Sequence, residues 1–248
     1  MPGSQTVEGG YKAIRAELRK NAEASQTPFL VVAGLTGSRK TELLQAANSA
    51  QIDLEGFAEH RGSAFGAVRG RPQPSQATFE NRLFLALYRA QLWRLPEVLV
   101  EDESKAIGRV LLASDIKQRI NQSPVVVVEV SLDERALHIA RHYVLEPMRA
   151  GSPAREHLDF LRSAVIRISN RLGGLLTSGI IEALEDAFRD PLAMEADRHL
   201  PWIRELLVHY YDKLYLSGLK SLNRPVLFRG NYEECRQWIR NRFASPRP

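Results

Sequence analysis

The chain has 248 residues, 44% hydrophobic and 25% charged, with a net charge of +5 and one cysteine, Cys235. That size and balance suit a single α/β unit with helical additions and exclude a disulfide framework within the chain; no apolar run approaches the roughly 20 residues needed to span a membrane. The basic residues are 27 arginines and 7 lysines. Guanidinium pairs with phosphate in a fork, so this bias suits a polyanion such as RNA, although a GC-rich coding sequence produces the same bias. Met1 to Gln5 show no basic-then-apolar signal, and with a lone thiol the expected setting is cytoplasmic.

In chain order, residues 1–27 read as a polar lead with one helix, Tyr11 to Asn21, and 28–248 as one domain. Strands are expected at Phe29 to Ala33, Gln51 to Leu54, Glu97 to Val100 and Pro124 to Val130. Four consecutive valines in the last suggest a strand buried on both faces of a parallel sheet. Helical patterns lie between them: Lys40 to Ala50, Thr78 to Leu92 and Ile107 to Asn121. This alternation predicts an α/β, P-loop NTPase-like parallel sheet flanked by helices, with its core over about 28–132. From about 133 to 248 the chain reads mostly helical: Glu134 to Ala150, Ala154 to Ser169, Leu175 to Phe188 and Pro201 to Gly218. A late strand, Pro225 to Phe228, and a last helix, Tyr232 to Arg242, close it.

The most informative stretch is Gly34-Leu35-Thr36-Gly37-Ser38-Arg39-Lys40-Thr41, between an apolar strand and a helix. It has the spacing of a phosphate-binding loop, in which backbone N–H groups surround a phosphate, the lysine reaches its outer oxygens and the hydroxyl ligates Mg²⁺. Gly34, Thr36, Gly37, Ser38, Arg39, Lys40 and Thr41 are therefore the candidate phosphate site. Arg39 stands where G-x-x-x-x-G-K-[ST] has its second glycine. A Cβ there crowds the loop, while the added charge suits an anion. The competing reading is an ordinary glycine turn between a strand and a helix.

A second constellation follows in residues 51–66, where a strand running into Asp53 and Glu55 meets a glycine-spaced loop with His60, Arg61 and Ser63. Arg69, Arg71 and Gln73-Pro74-Ser75-Gln76 come next. Carboxylates here can hold Mg²⁺ or act as a base, with Glu55 the candidate, and the arginines can grip phosphate. The plainer alternative is a solvated loop, and His60 alone is no argument for catalysis. The third strand runs into Glu101-Asp102-Glu103-Ser104. A carboxylate at such a strand end orients Mg²⁺ or water; spacing does not choose between Glu101 and Asp102, and Asp102 is taken with Thr41 as the Mg²⁺ pair and with Lys40 and Glu55 as the catalytic set. An acidic helix start explains the same residues.

Cys235 lies between acidic neighbours, which disfavour a thiolate. No Cys/His cluster has zinc spacing, and G-x-S-x-G and the dinucleotide pattern G-x-G-x-x-G are absent from the sequence.

Together these segments resemble the P-loop domain of the bacterial tRNA 2-selenouridine synthases. The resemblance rests on Gly9 to Ala13, the phosphate loop, Asp-Leu-Glu-Gly-x-Ala-x-His-Arg-Gly-Ser-x-Phe-Gly (53–66), Gln73 to Gln76 with Phe79-Glu80-Asn81, Val100 to Ser104 and Ile107-Gly108. It covers the first half well and the helical half weakly. The family replaces the sulfur of wobble 2-thiouridine in tRNA by selenium through a geranylated intermediate made from geranyl diphosphate. The resemblance implies that the loop holds a diphosphate, that Arg61, Arg69 and Arg71 contact tRNA, and that no membrane is involved. Family members begin with a rhodanese-type domain whose cysteine handles selenium; this chain begins where that domain ends, which implies a P-loop subunit and a separate rhodanese protein. The alternatives are a nucleotide-dependent small-molecule kinase or NTPase, and a non-catalytic binding subunit.

Overall fold

The computed structural model describes residues 8–48, 50–68, 70–189, 194–220 (side chains to 216) and 224–244. Arg69 lies outside them. Helix α1 (Gly10–Ala24) precedes strand β1 (Phe29–Ala33); α2 (Lys40–Leu44) and a 3-10 turn (Gln45–Ala47) lead to β2 (Gln51–Ile52) and α3 (Leu54–Ala58). Then come α4 (Gln76–Leu92), β3 (Val98–Glu101), a hairpin of β4 (Ala106–Ile107) and β5 (Val110–Leu111), α5 (Ser114–Gln122) and β6 (Val125–Val128). The second half holds α6 (Leu132–Ile139), α7 (Glu146–Arg149), α8 (Ala154–Arg167), α9 (Ser169–Leu172), α10 (Gly174–Arg189), α11 (Ala196–Leu206) and α12 (Asp212–Lys220). Strand β7 (Val226–Gly230) and α13 (Tyr232–Arg242) end it.

The sheet is parallel throughout, in the order β2-β3-β1-β6-β7. Val31 of β1 stands beside Val100 on one side and Val125 on the other. Alternation along β1 sends Phe29, Val31 and Ala33 into a core with Phe79, Leu83 and Leu87 of α4, and Leu30 and Val32 into a second with Leu43, Leu44 and Ile239. Both faces are covered, so the strands need no polar side. The central strand carries the loop at its carboxyl end, between neighbours reached by connections of opposite direction, where open α/β sheets bind ligands.

The expected helix from Ile107 is corrected. Ala106 to Leu111 form a hairpin because Gly108 takes φ 59° and a Cβ there would lie 2.1 Å from Gln73 Oε1. Gln73 accepts from Arg109 N–H and donates to Ile107 O, while Gln76 bonds both backbone groups of Leu111. The Gln-Pro-Ser-Gln segment thus serves as a clamp on this hairpin, and Ser75 caps α4 by accepting from Thr78 N–H. Beyond α2 the chain tightens to a 3-10 turn rather than continuing to Ala50.

The late strand and last helix are as expected. In the helical half, Pro201 lies inside α11, not at its start. Two π-helical segments, Ala140–Leu145 and Leu207–Tyr211, interrupt the long helices. Phe65 leaves the 53–66 loop to join the core of this half, its ring centroid 6.4 Å from that of Trp202. The polar lead is not separate: α1 lies against α4, with an Arg15–Glu80 ion pair and Ala22 in the sheet's core. Among the described residues, no helix is long and apolar enough to cross a membrane.

Candidate functional site

Gly34 follows β1, and the loop reaches Lys40 at the first position of α2. Lys40 Nζ donates to Gly34 O at 2.9 Å, folding the ammonium back over the loop. The loop is held from behind by Arg135 of α6, which donates to Thr36 O at 3.1 Å and forks onto Asp212 of α12 at 2.8 and 2.9 Å. Ser38 is buried, and among the described residues its hydroxyl has no hydrogen-bond partner. Thr36, Gly37, Ser38, Arg39, Lys40 and Thr41 all line one cavity of about 920 Å³.

Arg39 has φ 63° and ψ 33°, the left-handed conformation that a glycine adopts freely and other residues only at roughly 1–2 kcal/mol. Its guanidinium donates to Glu42 at 2.9 Å and lies 3.8 Å over the Tyr232 ring. Those contacts offset the backbone strain. The charge expected to suit an anion is therefore already matched by Glu42.

Thr41 Oγ1 lies 3.1 Å from Glu55 Oε2 and 3.0 Å from Glu101 Oε2, and Glu101 also accepts from Glu55 N–H at 2.8 Å. Glu103 completes a group of three carboxylates with oxygens within 4.8 Å of one another. Burial, then mutual repulsion, raises all three pKa values well above the usual carboxylate range. Such a set asks for a cation, and hard oxygen donors beside a threonine hydroxyl fit Mg²⁺. Asp102, the expected carboxylate at this strand end, is held instead by Arg224, in a fork of 2.7 and 3.2 Å just before β7. Glu101 is the one facing Thr41.

The 53–66 block is explained residue by residue. Asp53 accepts from Gly56 N–H and caps α3, which turns Glu55 toward the carboxylate group. Gly62 has φ 63°, and a Cβ there would sit 2.6 Å from Glu103 Oε2. Arg61 reaches across to the helical half, donating to His142 O at 2.6 Å and lying 4.8 Å from the Tyr143 ring centroid. It is a tie between the two halves as well as a cavity residue. Arg71 is exposed at the cavity rim. His60 is buried, its pKa lowered chiefly by burial.

Several cavity residues had no motif to reveal them. Arg224 and Lys117 sit on the wall near Asp102 and Glu103. The two π segments supply His142, Tyr143, Tyr210 and Tyr211, in keeping with the frequent placing of π turns at functional sites. His138 and Glu42 face them; burial, then His142, lowers the His138 pKa to about 4. Next to the loop an apolar cleft lined by Phe65, Ile139, Leu161, Trp202 and Leu206 shares Thr36, Ser63, Tyr143 and Tyr211 with the main cavity.

A parallel sheet with a glycine loop leading from its central strand to a Lys-Thr helix start, and a buried glutamate on the next strand, defines a P-loop NTPase-like α/β protein. Within that class the chain belongs to the tRNA 2-selenouridine synthase AAA domain family, whose model matches residues 27–245. Similar curated proteins include the tRNA 2-selenouridine synthases of Marinobacter nauticus (37% identical, covering 96% of this chain and 67% of the relative) and Hahella chejuensis (38%, 94% and 64%). That of Shewanella frigidimarina is 35% identical over 94% of this chain and 66% of its own. The chain thus spans about two thirds of the length of the curated relatives it matches. No solved structure matches it.

Proposed function

We propose that this chain acts in tRNA wobble-uridine modification and performs the alkyl-transfer half of 2-selenouridine synthesis, moving a geranyl group from its diphosphate to the sulfur of 2-thiouridine. The observation that carries this reading is the loop of phosphate-binding pattern on the wall of a cavity of about 920 Å³, in a chain of the tRNA 2-selenouridine synthase AAA domain family. The apolar pocket that adjoins it at Thr36, Ser63, Tyr143 and Tyr211 is only about 30 Å³, so a hydrocarbon chain would lie in the larger cavity or widen that pocket.

In this reading the diphosphate lies on Thr36 to Thr41, with Lys40 leaving Gly34 O to meet its oxygens. Thr41, Glu55 and Glu101 would hold Mg²⁺, whose charge offsets that of the leaving diphosphate. The thiouridine sulfur attacks C1 of the geranyl group, the C1–O bond breaks, and its electron pair departs with the diphosphate. The proton released from the uridine N3 goes to Glu103, a carboxylate on the cavity wall. Asp102, fixed by Arg224, sets the cavity wall beside these groups. Arg61 and Arg71 at the cavity, with Arg69, take tRNA phosphates.

Selenium transfer by a thiol is assigned to a separate rhodanese-type protein or domain. Cys235 is buried, bonds Val127 O and Gly230 O, and burial pushes its pKa up to about 11. Incubating thiolated tRNA with geranyl diphosphate and Mg²⁺, then weighing the nucleosides by mass spectrometry, tests the reading. Geranylated thiouridine is expected; unaltered thiouridine would overturn it in favour of a binding subunit or a nucleotide-dependent kinase.

A further inference from the structure

We propose that Glu42, His138 and His142 form a second cation site, with the donor set of a zinc-type transition metal, on the wall of the same cavity. One ring nitrogen of each histidine and a carboxylate oxygen of Glu42 lie within 4.8 Å of one another. A tetrahedral ion with bonds of about 2.0–2.1 Å holds its ligands about 3.4 Å apart, so side-chain movements of roughly 1 Å close the site. The two rings stand 4.2 Å apart between centroids, tilted by 45°.

Three features separate this cluster from histidines that merely pack. His138 Nδ1 is 3.6 Å from Glu42 Oε1, beyond hydrogen-bond length, so neither atom is used up by the other. The second oxygen of Glu42 is pinned by Arg39 and lies 3.4 Å from Tyr232 Oη, which fixes the carboxylate and leaves Oε1 available. Glu146 Oε1 sits 2.7 Å from His142 Nδ1. A carboxylate accepting from Nδ1–H leaves the lone pair on Nε2 and orients the ring, the arrangement that supports metal-bound histidines.

The nitrogen-rich set differs in kind from the all-oxygen group of Glu55, Glu101 and Glu103. Imidazole favours zinc-type ions, while Mg²⁺ prefers carboxylates and water. Glu42, His138 and His142 all line the cavity. Three protein ligands leave a fourth position for a cavity-bound anion or sulfur. Arg39 holds the other oxygen of Glu42, so the residue that replaces the loop glycine also orients this ligand.

Cobalt(II) is the probe, added to the untagged, chelator-treated full chain. One equivalent is expected to give the intense visible absorption of a four- or five-coordinate ion, displaced by Zn²⁺ but not by Mg²⁺. His138→Ala and His142→Ala should abolish it, and Glu146→Gln should weaken binding by about 10–100-fold. Absence of this absorption in the unsubstituted chain, or its persistence in both histidine variants, would overturn the proposal.

Discussion

Thr41 Oγ1 lies 3.0 Å from Glu101 Oε2, joining the helix start behind the loop to the end of the neighbouring strand. Glu101, only 1% exposed, sits behind Thr41, while its neighbours Asp102 and Glu103 line the cavity. Glu101→Gln keeps an acceptor for Glu55 N–H and, at neutral pH, removes the cost of keeping a buried carboxyl protonated well above its usual range. Thermal unfolding without Mg²⁺ should show the variant more stable, on the order of 1 kcal/mol, while Mg²⁺-dependent diphosphate binding falls at least tenfold. Lower stability in the variant would count against an uncompensated carboxylate group.

The same group sets a pH dependence. Glu55 and Glu101 are raised from about 4.5 to about 8 in the folded chain, mainly by burial. Between those values the folded state binds more protons than the unfolded state, so stability falls as pH rises through that window. Mg²⁺ binds the deprotonated form and should restore stability more strongly at the upper end. Melting curves at pH 6 and pH 8.5, with and without Mg²⁺, check this. A Mg²⁺ effect equal at both values would contradict it.

Arg135 and Asp212 join the loop to the helical half. Arg135 is buried and Asp212 partly so, and the same guanidinium holds Thr36 O. Asp212→Ala leaves an unpaired buried cation and should cost about 3–5 kcal/mol in denaturant unfolding. A cost below about 1 kcal/mol would mean the pair does not brace the loop.

Arg61 and Arg71 predict different responses to salt. Arg71 is exposed, and in its proposed role as a phosphate contact Arg71→Ala should lower the slope of log K against log salt for tRNA by roughly 0.7–0.9. Arg61 also ties the loop to His142 O, so Arg61→Ala should lower stability as well as affinity. Unchanged tRNA binding in the double variant would remove both from the interface.

What the sequence made legible was the chemistry carried by short segments. The apolar run before Gly34, Lys40-Thr41 behind it and the 53–66 block could be read because their neighbours in sequence are also neighbours in space. Residues brought in by long connections could not be read so. Arg224 meets Asp102 from 122 positions away, and neither side chain signals the other. The Ile107 hairpin resembled a helix because Gly108 and Gln73 act together, across 35 positions. His138, His142 and the tyrosines lay hidden in amphipathic helical stretches, where no short motif marks them. Arg39 was visible as a departure, but its partners Glu42 and Tyr232 were not.

The central claim is that the loop binds a diphosphate despite Arg39, and calorimetric titration with geranyl diphosphate in the presence of Mg²⁺ tests it most directly. The account predicts saturable binding that Lys40→Ala weakens by tenfold or more, a loss of about 1.5–3 kcal/mol for a charge-assisted contact. Arg39→Gly should bind within a few-fold of the parent chain, because the guanidinium is already engaged by Glu42. Equal affinity in the parent and Lys40→Ala chains, or no binding by the parent chain, would contradict the account.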